Sequence, residues 1–87
     1  MLLLFSKGFK KSYNKLQPKV RRACDARILL FDSEPFHKLL DNHALHEPYA
    51  GCRSINITGD YRAIYYHERP GIVRFIVVDT HHNLYGT

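Results

Sequence analysis

The stretch Arg53–Gly86, RSINITGDYRAIYYHERPGIVRFIVVDTHHNLYG, decides the fold. It divides into three short strands with turns between them. Arg53 to Ile57 alternates polar and apolar residues, the period of a half-buried strand. Thr58-Gly59-Asp60 then reads as a tight turn, with Gly59 free to take a positive φ and Asp60 able to bond nearby amides. Tyr61 to Tyr66 is rich in aromatic residues that suit a pleated surface, and Glu68-Arg69-Pro70-Gly71 carries the residues of a second reversal. Ile72 to Val78 is the most apolar run in the chain, broken only by Arg74, which puts it inside a sheet rather than at its edge. Asp79-Thr80-His81-His82-Asn83 gathers ionisable and hydrogen-bonding groups where that strand ends.

Outward from this sheet, 87 residues leave room for one domain spanning 1–87 and one core. A composition of 45% hydrophobic and 13% aromatic residues is that of a globular chain. No apolar run approaches the roughly 20 residues that span a bilayer. Met1-Leu2-Leu3-Leu4-Phe5 is too short for a signal-peptide core, and it reads as a first strand in a cytoplasmic protein. Cys24 and Cys52 have no metal-like spacing and read as buried, reduced thiols. A formal charge of +5 and a pI near 9.4 favour a polyanionic partner, nucleic acid first and an acidic protein second.

Between strand one and the sheet lie two helical patterns. Ser6 is an N-cap for a helix to about Leu16, with Phe9, Tyr13 and Leu16 on one face. Gln17-Pro18 interrupts it, and Pro18 opens a second helix with Val20, Cys24, Ile28 and Phe31 as its apolar stripe. The pair is expected to form an antiparallel hairpin across one face of the sheet. Its outer surface carries Lys7, Lys10, Lys11, Lys15, Lys19, Arg21, Arg22 and Arg27, with Asp25 the one acidic residue among them. Such a face is either simply solvated or tracks phosphates. Phe36 to Leu40 is expected as a short amphipathic segment with Phe36, Leu39 and Leu40 inward, followed by a polar loop from Asn42 to Gly51.

The groups able to do chemistry are His43 ahead of the sheet, Asp60 in its first turn, Arg53 or Arg62 on strands, and His81 with Tyr85 at the last strand's end. Histidine exchanges protons near neutral pH. Arginine keeps its charge and suits a phosphoryl transition state, and an aromatic ring offers a stacking platform for an unpaired base. Together these make a kit for RNA cleavage by an internal 2′-hydroxyl. Each also has an ordinary role: His43 as a cap, Asp60 as a turn residue, Arg62 paired with Glu68 or Asp79, Tyr85 as a plug in the core. His43, His46, His81 and His82 supply four imidazoles, but no carboxylate or thiolate joins them in a familiar metal spacing, so no metal site is expected.

These residues, in this order, resemble the RelE/ParE superfamily of bacterial type II toxin–antitoxin toxins, and within it the YafQ-like branch. The likeness is carried by Asn42-His43-Ala44-Leu45, Gly51-Cys52-Arg53, Asn56 with Asp60, and Thr80-His81-His82-Asn83-Leu84-Tyr85-Gly86. The resemblance implies an α+β, antiparallel-rich sheet in the order β-α-α-β-β-β, with the basic helical hairpin packed on one face. It implies a ribosome-dependent endoribonuclease that cuts mRNA in the A site, needs neither metal nor small-molecule cofactor, does not engage membrane, and is silenced by a cognate antitoxin. On that template His81 protonates the leaving 5′-oxygen, His43 or Asp60 takes the 2′-hydroxyl proton, and Arg62 neutralises the phosphate. Tyr85, Arg53, Asn56 and His82 would contact substrate, and Lys7, Lys10, Lys11, Lys15, Lys19, Arg21 and Arg22 would meet ribosomal RNA. The chain departs from the pattern at Asn42, where the branch has Asp, and at Asn56, where it has a His; Asn56 hydrogen-bonds but carries no proton at neutral pH. Two alternatives share the fold: a ParE-like inhibitor of DNA gyrase, and an inactive relative that binds RNA or an antitoxin.

Overall fold

The computed structural model describes residues 1–86. Its centre is a hairpin of two nine-residue strands, β4 (Tyr61–Arg69) and β5 (Ile72–Thr80), turned at Pro70-Gly71 with Gly71 at φ 79°. β3 (Arg53–Asn56) pairs antiparallel with β4, and β1 (Leu2–Phe5) adds in parallel on the far side of β5. A two-residue strand, β2 (His43–Ala44), pairs with β3 and completes a five-stranded sheet in the order β1-β5-β4-β3-β2. Three of the four pairings are antiparallel, as expected of an antiparallel-rich sheet. The apolar run does lie within the sheet, flanked by β1 and β4. Its one interruption, Arg74, reaches the hairpin surface and donates from Nε to Glu68 Oε1 at 2.8 Å. That contact holds the Glu68 carboxyl below its usual range.

The two expected helices are present as α1 (Lys7–Asn14) and α2 (Pro18–Ser33). Ser6 Oγ accepts from the Phe9 amide at 3.0 Å and donates to the Ile76 carbonyl at 3.3 Å, so the cap also fixes α1 to β5. Gly8 allows the approach: a Cβ there would stand 3.2 Å from the Ile76 carbonyl oxygen. Ser12 Oγ makes a further tie by accepting from the Val78 amide at 3.0 Å. Phe9, Phe31, Tyr65 and Phe75 form the aromatic heart of the core, with Phe31 edge-on to Tyr65 at 4.8 Å and to Phe75 at 5.4 Å. Each buried ring of this size contributes roughly 1.5–3 kcal/mol. Cys24 is also enclosed here, and burial pushes its thiol up to about 12.

Successive strand residues face opposite sides. Ile55, Ala63 and Val78, paired across β3, β4 and β5, point into this helix-covered core. Asn56, Arg62 and Asp79, paired across the same strands, therefore form a polar row on the other face. The fold turns on this division, because the polar row needs a cover or a partner of its own.

Four expectations change. The order β-α-α-β-β-β gains β2 and a last helix, α3 (His81–Tyr85). Phe36 and Leu39 do not point inward: they are 69% and 51% exposed, and the three-residue-per-turn helix at 38–40 directs Leu40 rather than Leu39 into the core. Gly59 does not take a positive φ; Thr58 Oγ1 closes that turn by accepting from the amides of Asp60 and Tyr61 at 3.3 and 3.1 Å. Cys52 is only half-buried, unlike Cys24, although both thiols are free.

Candidate active site

The polar row is built around Arg62, whose residue is 8% exposed although it carries a permanent charge. A buried guanidinium must have its donors answered. Nε donates to Ser54 Oγ at 2.9 Å, and Nη2 donates to the Asp41 carbonyl at 2.8 Å. Nη1 stands 3.6 Å from the exposed Asp41 carboxylate, so the partner of the charge is a group an incoming anion can displace. His43 stands opposite Ser54 in the β2–β3 pairing, and its Nδ1 lies 2.9 Å from the Asp41 carbonyl and 3.4 Å from Arg62 Nη2. Arg62 and His43 are thus one constellation, gathered by the backbone of Asp41.

The second half of the site is made by α3. Thr80 Oγ1 accepts from the Asn83 amide at 3.1 Å, and Gly86 closes the helix at φ 74°. The His81 amide donates to the Asp60 carbonyl at 2.9 Å, which sets the histidine beside the β3–β4 turn. The exposed His81 ring packs edge-on against Tyr85 at 4.6 Å, and Tyr85 is edge-on to Tyr49 at 6.1 Å. The Tyr85 hydroxyl is enclosed with no hydrogen-bond partner among the described residues. In the β4–β5 register Arg62 stands opposite Asp79, two positions ahead of His81. The row from His43 through Ser54, Asn56 and Arg62 to Asp79 therefore leads to the His81 helix.

Not every predicted residue joins this row. Arg53 pairs with Tyr65 and so lies on the helix-covered face; its Nε donates to Asn42 Oδ1 at 2.9 Å and its guanidinium lies over the Phe36 ring at 5.3 Å. Asn42 in turn donates to the Tyr65 hydroxyl at 2.8 Å, which gives it a structural place. His82 is exposed on α3. Arg62 pairs with neither Glu68 nor the Asp79 carboxylate. Asp79 Oδ1 instead accepts from Asn83 Nδ2 at 2.9 Å. Among the described residues no group of three or more His, Cys, Asp or Glu side chains is gathered as a metal would require.

Of the two basic helices, α1 reaches this edge. Lys7, Lys10, Lys11, Lys15, Lys19 and Arg22 are exposed, whereas Arg21 is half-buried and donates to the Leu16 carbonyl, and Arg27 is tied to the Leu39 carbonyl at 2.7 Å. Lys11 and Lys15 line a polar cleft of 520 Å³ that reaches Tyr61, Asp79 and Asn83. Sequence reasoning missed Asp41 and Ser54. Asp41 has one local signal, being a residue type that tolerates the left-handed region, which it occupies at φ 44°; a serine in an alternating strand gives none.

No family model matches the sequence, and no curated protein matches it. Solved structures do. YafQ from E. coli strain BL21(DE3) superposes with a TM-score of 0.80 at 20% identity, covering 97% of each chain. A YoeB/ParE toxin from Agrobacterium tumefaciens gives 0.76 at 21% identity over 93% of this chain and 99% of its own. The toxin–antitoxin complex RelBE2 of Mycobacterium tuberculosis gives 0.64 at 22% identity over 91% and 95%. With its five-stranded sheet, basic helical pair and terminal short helix, the chain has the fold of the RelE- and YafQ-like toxins.

Proposed function

We propose that this protein is the toxin of a type II toxin–antitoxin module, a ribosome-dependent endoribonuclease that cleaves mRNA in the A site. The observation that carries the reading is the buried Arg62 in contact with His43, on a polar row that leads to His81. A proton acceptor, a proton donor and a group that holds the developing charge together suit phosphodiester transesterification. His43 takes the proton from the ribose 2′-hydroxyl, and the 2′-oxygen bonds to phosphorus. The bond from phosphorus to the 5′-oxygen breaks, and His81 gives that oxygen its proton. The products are a 2′,3′-cyclic phosphate and a free 5′-hydroxyl. Arg62 holds the added negative charge, Asp60 orients the His81 helix through its carbonyl, and Tyr85 stacks on a base of the codon.

Lys7, Lys10, Lys11, Lys15, Lys19 and Arg22 would bear on ribosomal RNA phosphates, with Arg21 contributing less because it is tied to α1. On this reading the protein works in the cytoplasm with translating ribosomes. No helix among the described residues is long and apolar enough to cross a membrane. A groove of 570 Å³, lined by Leu3, Phe5, Phe9, Tyr13, Ile28 and Leu29, offers a seat for the apolar face of an antitoxin. The direct test uses purified protein with mRNA-programmed ribosomes. Cuts confined to the A-site codon and dependent on ribosomes support the reading; intact message, or equal cutting of ribosome-free RNA, overturns it.

A further inference from the structure

Asp41 is the one residue other than glycine with positive φ among the described residues, and it stands between the two groups assigned to the chemistry. It follows Leu40, where the three-residue helix at 38–40 ends, and its backbone is left-handed at φ 44° and ψ 51°. That conformation aims one carbonyl oxygen at two donors: Arg62 Nη2 at 2.8 Å and His43 Nδ1 at 2.9 Å. A carbonyl only accepts, so a hydrogen bond across this 2.9 Å contact requires the hydrogen on His43 Nδ1. Arg62 Nη2, at 3.4 Å from the same nitrogen, is only a donor, and its two hydrogens have nearer acceptors in the Asp41 carbonyl at 2.8 Å and the Ser54 carbonyl at 3.3 Å. It is therefore a neighbour of the ring nitrogen and not its hydrogen-bond partner.

We propose that Asp41 is a positioning residue that fixes His43 as the Nδ1–H tautomer, leaving the lone pair on Nε2 as the base. The proposal rests on the nuclease reading for its consequence, but the tautomer itself does not. An imidazole free in water prefers its hydrogen on Nε2, which leaves the wrong nitrogen basic for a ring anchored at Nδ1. The Asp41 carbonyl reverses that preference, as a backbone acceptor commonly does for a functional histidine. It also makes the proton transfer local. A proton arriving at Nε2 leaves the Nδ1–H bond to Asp41 in place, and the ring need not rotate. The Asp41 carboxylate, 3.9 Å from Nδ1 and 3.6 Å from Arg62 Nη1, adds an attraction for the charged ring. Because the same oxygen holds Arg62, base and anion holder keep a fixed spacing.

The backbone carries this role, so the side chain at 41 acts through its tolerance of the left-handed region. Glycine enters that region freely, and a β-branched residue resists it. The test is nitrogen NMR of the imidazoles at about pH 8.5, which tells the two ring tautomers apart. The wild type and Asp41→Gly are expected to show His43 as Nδ1–H, and Asp41→Val to move it toward Nε2–H. In the ribosome assay, kcat for Asp41→Val should fall about tenfold or more below that of Asp41→Gly, with KM for programmed ribosomes similar in the two. A wild-type His43 found as Nε2–H overturns the proposal without needing any variant. If the wild-type tautomer is Nδ1–H but no message is cut, the positioning stands and the nuclease reading falls.

Discussion

Arg62 Nε donates to Ser54 Oγ at 2.9 Å, a buried bond between neighbouring strands that aims the guanidinium along the sheet. Lysine at 62 would keep a charge but lose the planar fork that meets Ser54 and Asp41 together. Arg62→Lys is therefore expected to lower cleavage by about 10²–10³-fold. Ser54→Ala leaves a buried donor unanswered and should cost about 1–3 kcal/mol in urea unfolding, with a smaller loss of cleavage. Near-normal cleavage by Arg62→Lys would remove Arg62 from the chemistry.

His43 and Asp60 are separated by their modes of attachment. His43 presents an imidazole, whereas the structural tie of Asp60 is its carbonyl, which receives the His81 amide at 2.9 Å. Asp60→Ala keeps that carbonyl, and its cleavage rate should fall by less than about tenfold; His43→Ala should lose about 10²–10⁴-fold. The opposite ranking in single-turnover rates would make Asp60 the base.

The basic helices make a salt-dependent prediction. Lys11 and Lys15 line the cleft that reaches Tyr61 and Asn83 at the His81 end of the sheet. Replacing both with Gln should weaken ribosome binding and lower the slope of log affinity against log salt by roughly 1 for each phosphate contact removed. An unchanged slope would mean that these lysines are only solvated.

Much of this was legible in the sequence, for physical reasons that differ by element. The β4–β5 hairpin and both long helices follow from hydrophobic period and from Ser6, Pro18 and Gly71 at their ends. α3 has five residues, too few for a period, and only its caps, Thr80 and Gly86, announce it. β2 exists because two residues find a partner in β3, which no local pattern reveals. The candidate site residues His43, Arg62 and His81 were legible by type. Their grouping was not, since a one-residue step along β3 separates Arg53 from Ser54 and places them on opposite faces. Asp41 acts through its backbone, and a side-chain search passes over it.

Cys24 gives the fold a pH signature. Burial raises its thiol to about 12, so the folded chain keeps a proton that the unfolded chain releases near the ordinary value of about 8.5. The contribution of that thiol is whole below the unfolded value and is lost as pH rises toward the folded one. Relative to Cys24→Ala, the wild type should lose up to about 1.4 kcal/mol per pH unit over that interval. Parallel urea midpoint curves for the two proteins would show that Cys24 is open to solvent.

The most direct test of the nuclease reading is induced expression in bacteria, wild type beside His81→Ala, with the 5′ ends of transcripts mapped. The account predicts growth arrest with codon-phased cuts in translated messages for the wild type. In the variant both should be lost, while the folded protein and its antitoxin binding persist. Arrest by the His81→Ala protein, or arrest of the wild type with every message intact, would contradict it.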